Sequence, residues 1–477
     1  MIYVHIPFCK SFCTYCGFYS ETSACYDRYV EALLGEIDSR KSEFDATMDV
    51  NTLYIGGGTP SVMPLPLLCR VVEALKDESG SRNFDEFTVE LNPEDVIQRG
   101  EAYAEALLGM GVTRASMGVQ SFDDAVLRWM NRRHDAETAV RAYRILEKSG
   151  FRNISIDLIF GLPEFGSDSQ LRHSDSLPGH SDSQPKHSAS LSGHSDSQTK
   201  HSDSLSGHFP DHRGEDGYVP LLDERLWRET ILRALDISAS GMLPSHISAY
   251  QLSVEPDSAL ERMIADGRCS EASEESCARQ YEILCEELSA AGYHHYEISN
   301  FALPGREAVH NSAYWRHVPY VGLGPGAHSL AILPDGRRRR SWNSPDLKLY
   351  LETFAPCGRR DTGCAGQSSA ENENLEQELR REGESSSARG SETLSPEQSG
   401  IENVMLGLRT SRGCPFPELI SACDRARLDS AISSGHLVPV LDSSEHSGSN
   451  GDSATSYYRI PEKYFFISDG IISELLG

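Results

Sequence analysis

Short apolar or β-branched runs alternate along the chain with amphipathic stretches of ten to twenty residues, the pattern of βαβ units and a parallel sheet. Strands are predicted at 2–6, 52–55, 87–91, 114–118, 153–160 and 246–252. Apolar positions recurring every three to four residues predict helices at 26–44, 65–76, 101–110, 136–148, 224–238 and 274–291. The expected fold is therefore α/β, an incomplete parallel (β/α)6 barrel.

Two stretches break the pattern. Residues 167–214 repeat HSDSLPGHSDSQPK, HSASLSGHSDSQTK and HSDSLSGH, with histidines at His173, His180, His187, His194, His201 and His208. This tract has no apolar face to bury and is expected to be a disordered, solvated insertion. Residues 357–400 are rich in Glu, Ser and Arg and read as a polar linker. The barrel is thus expected in two parts, 1–166 and 215–356, and residues 401–477, where apolar periodicity returns, form a small C-terminal domain with a Ser/Gly-rich loop at 443–455.

At 477 residues there is ample length for a core. Against 44 Lys and Arg stand 71 Asp and Glu, a formal charge of -27 that repels phosphate backbones, so nucleic acid is not an expected partner. No run reaches the roughly eighteen consecutive apolar residues of a spanning helix, and no secretory signal precedes the first strand, so a cytoplasmic location is expected. Twelve cysteines are scattered along the chain, and the tight cluster lies within the first sixteen residues, which favours metal binding over disulfides.

That cluster, Cys9, Cys13 and Cys16 in YVHIPFCKSFCTYCGF, follows the first strand with CxxxCxxC spacing. Three thiolates on one loop suit three corners of a 4Fe-4S cube, whereas electron-transfer clusters take four. The open iron can chelate the amino and carboxylate groups of S-adenosylmethionine (SAM) and set its sulfonium up for reductive cleavage to a 5′-deoxyadenosyl radical. The alternatives are a zinc site, which ordinarily takes four Cys or His ligands, and unligated core cysteines.

The second strand runs into Gly56, Gly57, Gly58, Thr59, Pro60 and Ser61, where the backbone can approach a ligand or simply make a tight turn. Polar residues recur at the ends of the other strands: Glu90, Gln120, Asp157, Tyr250 and Gln251. In a parallel barrel these ends open on one face, the one that carries chemistry, although each could singly be a cap or a satisfied core polar group.

YVHIPFC, GGGTPS, ELNPE, GVQSF, IDLIFGLP, HISAYQL, HNSAYW and GLGPGAHS follow in that order, and in them the chain resembles the radical SAM enzymes. Within these it is similar to the oxygen-independent coproporphyrinogen III oxidases and their HemW-type heme chaperone relatives. The resemblance implies a barrel of radical-SAM type, with Cys9, Cys13 and Cys16 on the cluster and Tyr3, Gly57, Gly58, Thr59 and Glu90 around SAM. It also implies that Gln120, Arg132 and Asp157 occupy positions that in the oxidases contact a second SAM.

Three features favour the chaperone side of the resemblance. The oxidases have CxxxCxxCxC, and the last position is Phe18 here; they carry an extension before the motif, whereas two residues precede Tyr3. HNSAYW matches the HNxxYW pattern of the chaperones, making His310 the candidate heme contact beside Asn311, Tyr314 and Trp315. His328 in the glycine-rich turn is a second candidate polar contact. The implied function is to bind heme and pass it to an acceptor hemoprotein, such as a respiratory one, without coproporphyrinogen oxidase activity, the cluster and SAM supporting transfer or formation of a homodimer. The alternative is the oxidase itself.

Overall fold

A computed structural model of the chain describes residues 1–477 except 18, 23–24, 45–49, 165–222, 356–387 and 441–455. The histidine repeat, most of the 357–400 segment, the 443–455 loop and Phe18 lie outside the described residues.

The six predicted strands form: β1 Ile2–Ile6, β2 Thr52–Gly57, β3 Glu86–Leu91, β4 Arg114–Gln120, β5 Ile154–Phe160 and β6 His246–Gln251. They pair in parallel in chain order. Three short strands extend them to a nine-stranded sheet: β7 His294–Glu297 and β8 Asn300–Ala302 lie antiparallel beyond β6, and β9 Val321–Leu323 pairs with β1. At three or four residues each, they are too short to show periodicity in the sequence.

Outside the β4 bulge and the end of β5, the strands largely alternate. Ile2, Val4, Ile6, Ala115, Met117 and Val119 belong to the hydrophobic core beneath the helices. Their neighbours, such as Tyr3 and His5, Arg114 and Ser116, take the opposite face and turn inward. The barrel interior is therefore polar and its outer surface aliphatic.

Helices α1 Tyr26–Ser39 and α2 Lys41–Phe44 replace the single helix predicted at 26–44. The break falls at Arg40, whose guanidinium is buried against the Glu36 carboxylate at 2.8 Å and the Gly322 carbonyl at 2.6 Å. Glu36 also accepts from Asn343 Nδ2, the Gly324 N–H and the Tyr350 hydroxyl, so one buried pair ties α1 to the β9 end of the sheet. Next come α3 Leu65–Glu78 and α4 Pro93–Met110. The latter starts eight residues before the predicted 101, with Asn92 as N-cap and Pro93 in the first turn. Gly100, at φ 68° inside it, interrupts the apolar period that marked only its second half.

A six-residue helix, α5 Asp124–Trp129, was not predicted; α6 Ala136–Ser149, α7 Glu224–Leu235, α8 Ala259–Ala265, α9 Glu274–Ala290, α10 Val309–Tyr314 and α11 Leu347–Phe354 complete the barrel region. Among the described residues no helix is long and apolar enough to cross a membrane.

Strands β10 His328–Ile332, β11 Arg338–Asn343 and β12 Arg389–Thr393 form a second, antiparallel sheet. The end of the presumed linker is thus a paired strand. A helix follows at Pro396–Leu408, five residues before the predicted 401, closed by a capping box of Ser395 and Gln398. The C-terminal part docks on the barrel edge: the Ser411 N–H donates to the Tyr296 carbonyl at 3.0 Å, and Phe465 sets its ring edge-on to His295.

Candidate cofactor site

The cysteine loop hangs from the end of β1 and is held from three sides. The Cys9 N–H donates to the Glu21 carbonyl at 2.9 Å. Thr14 bonds the end of α5 twice, its N–H to Met130 O at 3.1 Å and its hydroxyl to Trp129 O at 2.7 Å. Asn131, at φ 57°, donates to Phe12 O at 2.7 Å. Lys10 reaches the buried Asp95 at 2.6 Å, which also accepts from Ser61 at 2.8 Å. The short α5 that the sequence did not reveal is thus the main anchor of the loop.

Cys9, Cys13 and Cys16 all line a cavity of about 600 Å³ at the C-terminal ends of the strands, a size ordinary for cofactor pockets. Thr59 Oγ1 lies 3.3 Å from Cys9 Sγ, and Arg132 Nη1 donates to Cys13 Sγ at 3.4 Å. Burial pushes the Cys9 thiol up. Among the described residues no three Cys, His, Asp or Glu side chains converge as a single metal ion requires. The thiols instead share the wall of an open space, with a guanidinium beside one of them and its Nε left without a partner. A multi-iron anion held at three corners fits that donor set; a four-ligand zinc ion does not.

The glycine run has a specific steric cause. A Cβ on Gly56 would lie 2.7 Å from Glu90 Oε1, on Gly57 2.6 Å from the His5 ring, and on Gly58 2.8 Å from the Phe8 carbonyl. The turn is glycine so that β2 can close against Glu90 and the cysteine loop, and Gly57 and Gly58 then line the cavity. The GLGPGAHS turn likewise packs on protein: a Cβ on Gly324 would meet the His5 carbonyl at 2.5 Å.

Glu90 accepts from the Tyr54 hydroxyl at 2.7 Å and the Gly57 N–H at 3.1 Å. Burial nevertheless raises its carboxyl to about 7. Asp157 is raised by burial as well, against the Arg114 charge and hydroxyls of Ser248 and Ser116. Gln120 sits at φ 69° on a β-bulge, and a Cβ on Gly118 would meet its amide at 2.7 Å. Arg132 Nη2 donates to Gly118 O at 2.8 Å, which keeps the guanidinium directed from this bulge to Cys13.

Thr59, Glu90, Gln120, Arg132 and Asp157 are thereby gathered in one cavity with the three cysteines. Of the predicted contacts, Tyr3, His310 and His328 are not on its wall. Tyr3 points its hydroxyl at His5 Nδ1, 3.1 Å away. His310, the expected heme contact, is 1% exposed, with Nδ1 bonded to Thr52 Oγ1 at 2.8 Å and Nε2 to the Tyr314 hydroxyl at 2.9 Å. Both nitrogens are committed to the protein, and its neighbour Asn311 lines the cavity instead. The sequence reading also passed over Tyr54, Arg114 and Ser116, which line it from mid-strand or strand-start positions. Strand alternation was the available signal.

A parallel barrel with a cysteine triad over its open strand ends is the arrangement of radical SAM proteins, and the profile of the Radical SAM superfamily matches residues 3–171. The chain is 31% identical over 327 residues to the heme chaperone HemW of Lactococcus lactis subsp. lactis, covering 68% of each chain. It is 30% identical over 365 residues to HemW of Bacillus subtilis, covering 76% of this chain and 78% of that one. Among solved structures, coproporphyrinogen III oxidase (HemN) from Escherichia coli, a radical SAM enzyme, shares the fold with a TM-score of 0.62 over 99% of this chain and 89% of that one, at 18% identity. The chain belongs to the HemW heme chaperone family of radical SAM proteins. Membership in the superfamily implies a 4Fe-4S cluster and SAM.

Two expectations follow from the geometry. Glu90 titrates near 7 folded and 4.5 unfolded, so the stability its protonated form contributes at low pH is lost as pH rises from about 4.5 through about 7. In urea denaturation series, wild type minus Glu90→Gln should decline by on the order of 3 kcal/mol across that window; a flat difference contradicts the burial. His310→Ala should cost about 1–3 kcal/mol in the same assay by orphaning Thr52 and Tyr314. Lower heme affinity with unchanged stability would show that the ring is free to bind iron.

Proposed function

We propose that this protein holds a 4Fe-4S cluster on Cys9, Cys13 and Cys16, takes SAM into the adjoining cavity, and carries heme to an acceptor hemoprotein in the cytoplasm. The observation that carries the cofactor reading is the cavity itself, lined by three thiols, the Gly57–Gly58–Thr59 turn and Glu90 together. When bound, an open-iron cluster supplies an electron to the sulfonium of SAM. The residues of this chain do the positioning. Glu90, held near 7 while unpaired, gains a counter-charge when an ammonium group enters and ionises fully. Arg132 balances negative charge at Cys13.

Heme transfer rests on membership in a family of heme chaperones and on Phe18 standing where the oxidases have a further cysteine. The second reading, oxidative decarboxylation of coproporphyrinogen III, is favoured by one observation: Gln120, Arg132 and Asp157 all line the cavity.

Anaerobic reconstitution tests the first reading and discriminates the second. About four irons and four sulfides per chain are expected, falling sharply in Cys13→Ala; heme titration should give saturable binding that differs with and without the cluster. With reductant, SAM and coproporphyrinogen III, no protoporphyrinogen should form. Turnover would replace the chaperone reading with the oxidase, and a wild-type chain holding fewer than about three irons would remove the cluster.

A further inference from the structure

Arg114 opens β4 with its side chain turned into the barrel, where it lines the inner part of the cavity. It is 2% exposed, and its Nε has no hydrogen-bond partner. Among the described residues no carboxylate forms an ion pair with it; the nearby Asp157 accepts instead from Ser116 at 3.3 Å. Across the strand pairing, Thr88 is its direct register partner, 0% exposed, and the Thr88 hydroxyl is also without a partner. Arg114, a full positive charge, thus lines the cavity with its Nε unused, and a second buried polar group without a partner lies beside it on β3.

Such an arrangement is costly to fold and is ordinarily relieved by a hydrogen-bonded acceptor. The surrounding rings do not relieve it. His246 is already bonded to Ser155 and Tyr296, and His310 to Thr52 and Tyr314. Both imidazoles are held neutral, first by burial and then in part by the Arg114 charge itself. Asp157 feels the Arg114 charge but is not paired with it, and the guanidinium fork is left to match a further carboxylate bidentately.

We infer that Arg114, with Thr88 beside it, is an anchor for a carboxylate group of a ligand entering the cavity. This rests on the cavity being the ligand site proposed above. The carboxylate has two available sources, a porphyrin propionate and the amino-acid end of a second SAM molecule that does not chelate the open iron, which present the same chemistry to the guanidinium.

The test uses full-length, anaerobically reconstituted protein, wild type, Arg114→Met and Arg114→Lys. Dissociation constants are measured for heme against heme dimethyl ester and for SAM against decarboxylated SAM. Arg114→Met should weaken one acid at least tenfold while leaving its carboxyl-free counterpart within twofold, and the pair whose preference collapses names the source. Arg114→Lys should retain part of that preference. Because Arg114 forms no ion pair among the described residues and its Nε has no partner, Arg114→Met should also melt no lower than wild type. If neither acid preference changes in Arg114→Met, the guanidinium serves water alone and the inference is overturned; a large fall in melting temperature overturns it too, as a structural role. Wild-type protein that binds none of the four compounds removes the cavity reading and this inference together, a result distinct from binding without discrimination.

Discussion

The structure depends on one constraint, the two-residue period of the barrel strands, which sends aliphatic side chains outward to the helices and polar ones inward. Were the inner positions aliphatic, they would fill the barrel as a packed core; instead Tyr54, Glu90, Arg114, Ser116 and Asp157 leave about 600 Å³ open. Burying that much polarity is tolerable only where groups satisfy one another or await a ligand. Glu90 satisfies the Tyr54 hydroxyl and the Gly57 N–H, whereas Arg114 and Thr88 find no such partner. The cavity is therefore a consequence of the strand pattern, and its chemistry is set by which of its polar residues remain unmet.

The cysteine loop sits over this interior because elements far apart in sequence converge on it. The end of α5 holds Thr14 and Asn131 fastens Phe12, while Asp95 in the first turn of α4 joins Lys10 to Ser61. The glycines of β2 permit the closest approach, each removing a Cβ that would strike Glu90, His5 or the Phe8 backbone. At the far side, the buried Glu36–Arg40 pair fixes α1 to the glycine-rich turn after β9. The loop is thus rigid where the thiols project, which is what a cluster held at only three corners requires.

All six main strands were legible in the sequence, because β-branched runs bounded by helical periods are a strong local signal. The cysteine triad and the polar strand ends were legible from spacing and position. What escaped had physical reasons. Strands β7, β8 and β9 and helix α5 are too short to carry a period. Gly100 hid the first half of α4, and Arg40 ended α1 for a tertiary bond that no local pattern records. His310 stood out as a motif, but its ring is claimed by Thr52, 258 residues away, which only the fold brings near. Arg114 opens a strand that was predicted, but its inward orientation comes from alternation along that strand.

Everything proposed for the cavity turns on whether three cysteines hold a cluster with one iron open to SAM. The most direct measurement is the electron paramagnetic resonance spectrum of the reduced, reconstituted protein before and after SAM is added. The expected result is a 4Fe-4S signal whose g values and line shape shift on addition, as a ligand joins the unique iron. A signal unchanged by saturating SAM, or no cluster signal at all, would contradict it.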